Sequence, residues 1–155
     1  MDIILQIYLE HKDDVIRNIE ISTNKSLREL HFEIIRSLEL SENEIASFYL
    51  TDENFNLVQE IPLFKIDDKQ EDLIEMNEIK IGSVFTNINC QLIYVYDFMK
   101  MWRFLVSYIA DSETENNKNQ IVNQVGKMPK EATEIIFESD NDLNESFDEL
   151  DEEEY

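Results

Sequence analysis

Residues 3–9 alternate between apolar and other side chains, with Ile3, Leu5, Ile7 and Leu9 on one parity. That is the period of a half-buried strand. The polar stretch His11-Lys12-Asp13-Asp14 separates it from a second alternating run over residues 15–22. There Val15, Ile19 and Ile21 share one face, and Asn18, Glu20 and Ser22 the other. Two such runs joined by a short polar loop predict a β-hairpin.

At Leu27 the period changes. Leu27, Leu30, Ile34, Ile35 and Leu38 form one apolar stripe at helical spacing. Ser26-Leu27-Arg28-Glu29 precedes it as a capping box, in which hydroxyl and carboxylate each accept from the other residue's amide. The stripe predicts a helix over Leu27 to Leu40.

Ile45–Leu50 and Asn56–Ile61 read as third and fourth strands, the latter ended by Pro62, which lacks an amide donor. Residues 65–80 are charged, with a short helical pattern around Asp68–Met76, and Ile81–Phe85 fits neither period. Residues 91–98 and 101–109 predict a second hairpin. In its first strand Ile93 and Val95 oppose Tyr94, Tyr96 and Phe98; in its second, Trp102, Phe104, Val106 and Tyr108 share a face. Residues 111–120 read as a loop, and Ile121–Val125 as a last short strand closed by Gly126 and Pro129. The expected fold is α+β: a β-grasp-like (ubiquitin-like) start of hairpin, helix and strands, followed by a second long β-hairpin. It forms one domain over residues 1–137.

Charge changes the picture at the C-terminus. The net charge of the 155-residue chain is −22, and residues 138–155 carry 10 acidic side chains and no basic one. Such a segment, poor in apolar residues, is expected to be a disordered tail. Within it Leu143, Phe147 and Leu150 fall at helical spacing, a stripe suited to a partner's groove. Residues 1–137 still hold 25 acidic against 13 basic side chains. A domain this negative repels phosphate backbones, so direct nucleic-acid binding is not expected and a basic protein partner is. No apolar run reaches the ~20 residues of a membrane span, and the N-terminus carries no secretory pattern, so a cytoplasmic location is expected.

The chemistry-bearing residues are few. Cys90 is the only cysteine and His11 and His31 the only histidines, which excludes an intrachain disulfide and a two-cysteine metal site and leaves no spacing for a dedicated metal centre. Gly82 and Gly126 are the only glycines, so no glycine-rich phosphate loop exists, and no cofactor is called for. His11 lies in a turn and is expected to be solvated. His31 borders the apolar helix stripe; its ordinary pKa near neutrality suits a general base or ligand, and the plainer expectation is a core-boundary histidine with one hydrogen bond. Asp97 is the one acid inside the second hairpin, either catalytic or an acceptor for turn amides. Trp102 and the tyrosines are either a ligand platform or core.

Two segments carry a resemblance. Ser26-Leu27-Arg28-Glu29-Leu30-His31-Phe32-Glu33-Ile34 resembles the helix start "T-L-x-x-L-H-x-x-I" of the Ri-plasmid open-reading-frame-three-like family. Tyr94-Val95-Tyr96-Asp97-Phe98-Met99-Lys100-Met101-Trp102 resembles that family's "Y-x-Y-D-F-G-D-x-W". Bacterial members are described as insertion-element passenger proteins of TnpR type. The resemblance spans residues 1–130 and implies a fold, not an activity. The family's glycine is Met99 here, its second aspartate is Lys100, and the histidine common two positions after the tryptophan is Phe104. What remains of the second segment is Tyr94, Tyr96, Asp97, Phe98 and Trp102, mostly aromatic and structural in character; with His31 of the first, Tyr94, Tyr96, Asp97 and Trp102 are the candidate ligand or signature residues. A serine recombinase needs a nucleophilic serine supported by several arginines, and this chain has only Arg17, Arg28, Arg36 and Arg103.

The sequence therefore points to a non-enzymatic protein-interaction domain acting through its tail. One alternative is a small enzyme or ligand-binding domain with a site near His31, Asp97 and Trp102. Another is an acidic DNA mimic, which requires carboxylates in two ordered rows.

Overall fold

A computed structural model describes residues 1–52, 54, 56–65, 73–113 and 119–129. The predicted tail with Leu143, Phe147 and Leu150 lies outside the described residues, as do residues 68–72 of the short helical pattern. The elements in chain order are β1 (Asp2–Leu9), β2 (Ile16–Ser22), α1 (Leu27–Ser37), β3 (Ala46–Thr51), β4 (Leu57–Pro62), a 3₁₀ turn (Met76–Glu78), α2 (Ile81–Val84), β5 (Gln91–Tyr96), β6 (Trp102–Asp111) and β7 (Gln120–Val125).

Among the described residues seven strands join one sheet in the order β4-β3-β5-β6-β1-β2-β7. Each of the six pairings is antiparallel. The architecture is α+β and rich in sheet. The hairpin-then-helix start is present, but the sheet does not continue as a grasp built on a parallel strand. Instead β1 pairs antiparallel with β6, Leu9 opposite Phe104 and Ile7 opposite Val106. Both are long alternating strands, and this pairing continues one apolar face from the first hairpin into the second.

That face is the core. Ile3, Leu5, Ile7 and Leu9 of β1 are buried with Ile19 and Ile21 of β2, Phe48 of β3, and Phe104 and Val106 of β6. The same cluster takes in Leu27, Leu30, Ile34 and Leu38 from the helical segment. Ile4, Gln6 and Tyr8, on the other parity of β1, are only half-buried.

The capping box forms as the sequence predicts: the Ser26 hydroxyl accepts from the Glu29 amide, and the Glu29 carboxylate accepts from the Ser26 amide, both at 3.2 Å. The helix ends three residues earlier than the apolar stripe implies. Glu39 adopts a left-handed conformation (φ 58°). The Glu39 amide donates to the Arg36 carbonyl and the Leu40 amide to the Ile35 carbonyl, the pattern that closes a helix and satisfies its orphan carbonyls. Glycine usually supplies this turn; here a glutamate does, and nothing in the sequence marks it.

Ile81–Val84 forms a single helical turn. It is tied to the entrance of α1, since the Ile81 amide donates to the Lys25 carbonyl and the Leu27 amide to the Ile79 carbonyl. No helix among the described residues is long and apolar enough to cross a membrane.

Candidate functional site at the second hairpin

The residues of the second signature divide by depth. Tyr94 lies at the centre of β5, flanked by Phe48 and Phe104, with ring centroids 4.8 and 5.8 Å away. Its hydroxyl meets His31 Nδ1 at 2.7 Å. The His31 ring is fully enclosed, edge-on to Phe32 at 4.9 Å. Burial, reinforced by the nearby Arg28 charge, lowers the His31 pKa to about 4, so the imidazole is neutral. Burial likewise holds the Tyr94 phenol well above its ordinary pKa. The pair shares one hydrogen bond inside the core, while His31 Nε2 is buried with no hydrogen-bond partner among the described residues.

Tyr96 stands opposite Trp102 in the β5–β6 register. Its hydroxyl donates to the Ser41 carbonyl at 2.5 Å. Burial and the carboxylates of Glu44 and Asp97 push its pKa up to about 12. Trp102 is 6% exposed and faces His11, with ring centroids 6.2 Å apart. His11 was expected in solvent. Its side chain is only 3% exposed, and its Nδ1 accepts from the Asp13 amide at 3.1 Å. The turn folds back on the tryptophan, so a histidine that reads as loop covers the end of the core.

Asp97 takes a left-handed conformation (φ 63°) and so does Met101 (φ 56°). The Asp97 carboxylate accepts from the Met99 amide at 3.1 Å and the Lys100 amide at 3.3 Å. Its carbonyl accepts from the Lys100 and Met101 amides, and its own amide donates to the Ile45 carbonyl. Aspartate suits such a position because its short side chain bonds its own turn and tolerates positive φ. Met99, which stands where the resembling family has glycine, is not among the positive-φ residues, so its Cβ costs the turn nothing. Phe98, read as part of a strand face, lies in the turn beyond β5. The turn exposes Phe98 by 36%, Met99 by 90% and Met101 by 47%.

His31 and Tyr94 therefore meet, Tyr96 and Trp102 are neighbours, and Asp97 serves the turn. The two described clefts are lined by other residues. One, of about 280 Å³, lies between Arg17, Leu38, Glu39, Lys127 and Met128. The other, of about 520 Å³, lies between α1, the end of β4 and the 3₁₀ turn. Among the described residues no group of three or more His, Cys, Asp or Glu side chains could hold a metal ion.

Sequence reasoning passed over Arg17. Its guanidinium donates four times to carbonyls: Nε to Ser37, Nη1 to Ile16 and Val125, and Nη2 to Gly126, all within 3.0 Å. It joins the helix end to β2 and to the close of β7. The signal was its position: residue 17 has the parity of Val15, Ile19 and Ile21, so a charge there had to be buried and bonded. Gly126 is fixed by the same junction. Its φ is +76°, and a Cβ would lie 2.1 Å from the Asp14 carbonyl oxygen.

A model of the plasmid pRiA4b ORF-3-like protein family matches residues 2–154. The chain belongs to the plasmid pRiA4b ORF-3-like family. The His31–Tyr94 contact thus joins the two segments on which the resemblance to this family was read. A crystal structure of a protein of unknown function from Methanosarcina mazei Go1 is similar to the chain, with a TM-score of 0.63 and 16% identity, over 79% of this chain and 68% of that one. At that identity the likeness is one of fold. No curated protein matches the chain.

Proposed function

We propose that this member of the plasmid pRiA4b ORF-3-like family is a non-enzymatic interaction domain that docks a basic protein partner through the tip of its second hairpin. The observation that carries the reading is the exposure of Met99, with Phe98 and Met101 beside it, on a turn whose amides are bonded to Asp97. A fixed turn loses little entropy on docking, and methionine adapts to varied apolar surfaces. The net charge of −22 favours a basic partner and draws it in at low salt. The groups an enzyme would need are engaged elsewhere: His31 is neutral on Tyr94, Asp97 holds the turn, and Trp102 is packed. The acidic tail with Leu143, Phe147 and Leu150 is a second contact element in this reading.

The test is affinity capture from the native host with three baits: the full chain, a Met99→Ser/Met101→Ser variant, and residues 1–137. A basic protein held by the full chain in a salt-sensitive way, and lost by the double variant at unchanged stability, supports the tip. Retention by the double variant with loss by the shortened chain transfers the function to the tail. Equal capture by all three baits defeats both.

A further inference from the structure

The larger cleft has a lining that the hairpin tip does not use. Its walls come from four parts of the chain: Arg28 and Phe32 on α1, Glu42 after the helix, Leu63 and Phe64 just past β4, and Glu75 and Asn77 at the 3₁₀ turn. Its volume of about 520 Å³ lies in the range of small-molecule sites, roughly 300–1,000 Å³. Its polar groups are of both signs and come from different walls.

Arg28 is held over the Phe32 ring, its guanidinium carbon 5.1 Å from the centroid. Among the described residues no carboxylate pairs with it. The ring supports the guanidinium from one side and leaves its donor edge free to meet a planar carboxylate. Glu42 is exposed and accepts no hydrogen bond among the described residues. Glu75 is partly committed, since it accepts from the Lys65 amide at 2.8 Å. Phe64 is half-exposed beside the half-buried Leu63, an apolar wall open to the cleft.

Among the described residues the lining thus offers an unpaired cation, an unbonded carboxylate and an aromatic wall within one space. A simple anion meets Arg28 but also the field of a strongly negative protein. A simple cation meets Glu42 but also Arg28. A zwitterion with an apolar body answers all three features and carries no net charge against the protein's field. We propose that this cleft binds a free α-amino acid with a large apolar side chain, its carboxylate on Arg28, its ammonium on Glu42 and its side chain against Phe64 and Leu63. The proposal is independent of the hairpin tip and of any protein partner.

The experiment follows backbone amide spectra of the full chain while titrating phenylalanine, N-acetylphenylalanine and phenylalaninamide to about 10 mM, a range that covers weak millimolar binding. Phenylalanine is expected to shift the amides of residues 28–32 and 63–64 in a saturable way. Each derivative lacks one charge and is expected to bind about tenfold more weakly or worse, as the loss of a charged hydrogen bond implies. In Arg28→Met the acid and its amide should bind equally. In Glu42→Gln phenylalanine and its N-acetyl form should bind equally. Both side chains are exposed, and the titration of the unaltered chain stands without the variants. No saturable shift with phenylalanine overturns the proposal. So does a derivative that binds as tightly as the parent: the amide would mark a cation site, the N-acetyl form an anion site.

Discussion

Between Tyr94 and Trp102 the chain runs from one of its most enclosed residues to one of its most exposed and back. Tyr94 is sealed among Phe48, Phe104 and His31, whereas Met99 stands almost wholly in solvent. Both belong to one stretch of family signature, yet they answer to different physics. The buried end is fixed by packing density, where each lost methylene leaves a void. The tip is fixed by hydrogen bonds to the carboxylate and backbone of Asp97, which leave the Met99 side chain without a packing role. The same nine residues thus hold both a packed support and the exposed turn it displays.

The largest expected effect is at the buried end. Trp102→Ala should cost about 3–5 kcal/mol in denaturant melts, as large core truncations do. A loss below about 1 kcal/mol would make the tryptophan part of the surface and erase the contrast.

Next is the pH response of His31. Its folded pKa near 4 lies below the ordinary 6.5, so the unfolded chain binds the extra proton first. The contribution is fully present above pH 6.5 and is lost as pH falls toward 4, about 3 kcal/mol in all. Melts across that window should show the slope, and His31→Gln should flatten it. A slope that survives the substitution would locate the titration elsewhere.

Asp97→Ala should cost about 1–2 kcal/mol, because two turn amides lose their acceptor and alanine disfavours positive φ. Asp97→Asn, which keeps both the acceptor and the tolerance, should cost less. Equal losses would give the carboxylate charge the role assigned to its geometry. The smallest effect is at the tip: Met99→Ser should change stability by no more than about 0.5 kcal/mol. A larger loss would mean that the tip belongs to the core.

What the sequence made legible follows the range of the interactions. The capping box at Ser26 and Glu29 and the alternation of β1 are local, and both read through directly. Turn bonding by Asp97 was one of two readings, and its carboxylate does accept from the neighbouring Met99 and Lys100 amides. The end of α1 was not legible, because Glu39 takes a conformation its residue type rarely signals. The pairing of β1 with β6 was not legible either, since period-2 patterns fix faces but not partners. His11 was misread because a polar turn says nothing of a tryptophan that reaches it from ninety residues away. The open cleft left no pattern at all: Arg28, Glu42 and Phe64 are brought together only by the tertiary fold.

The Arg17 junction has a dynamic consequence. Four carbonyls from the helix end, β2 and the close of β7 share one guanidinium. Opening any of these contacts strips donors from the others, so the last strand and the last turn of α1 should not fray separately. They form one cooperative unit of local unfolding. Amide hydrogen exchange at Gln120–Val125 and at Leu38–Leu40 should share a single opening free energy, and Arg17→Met should split it into two.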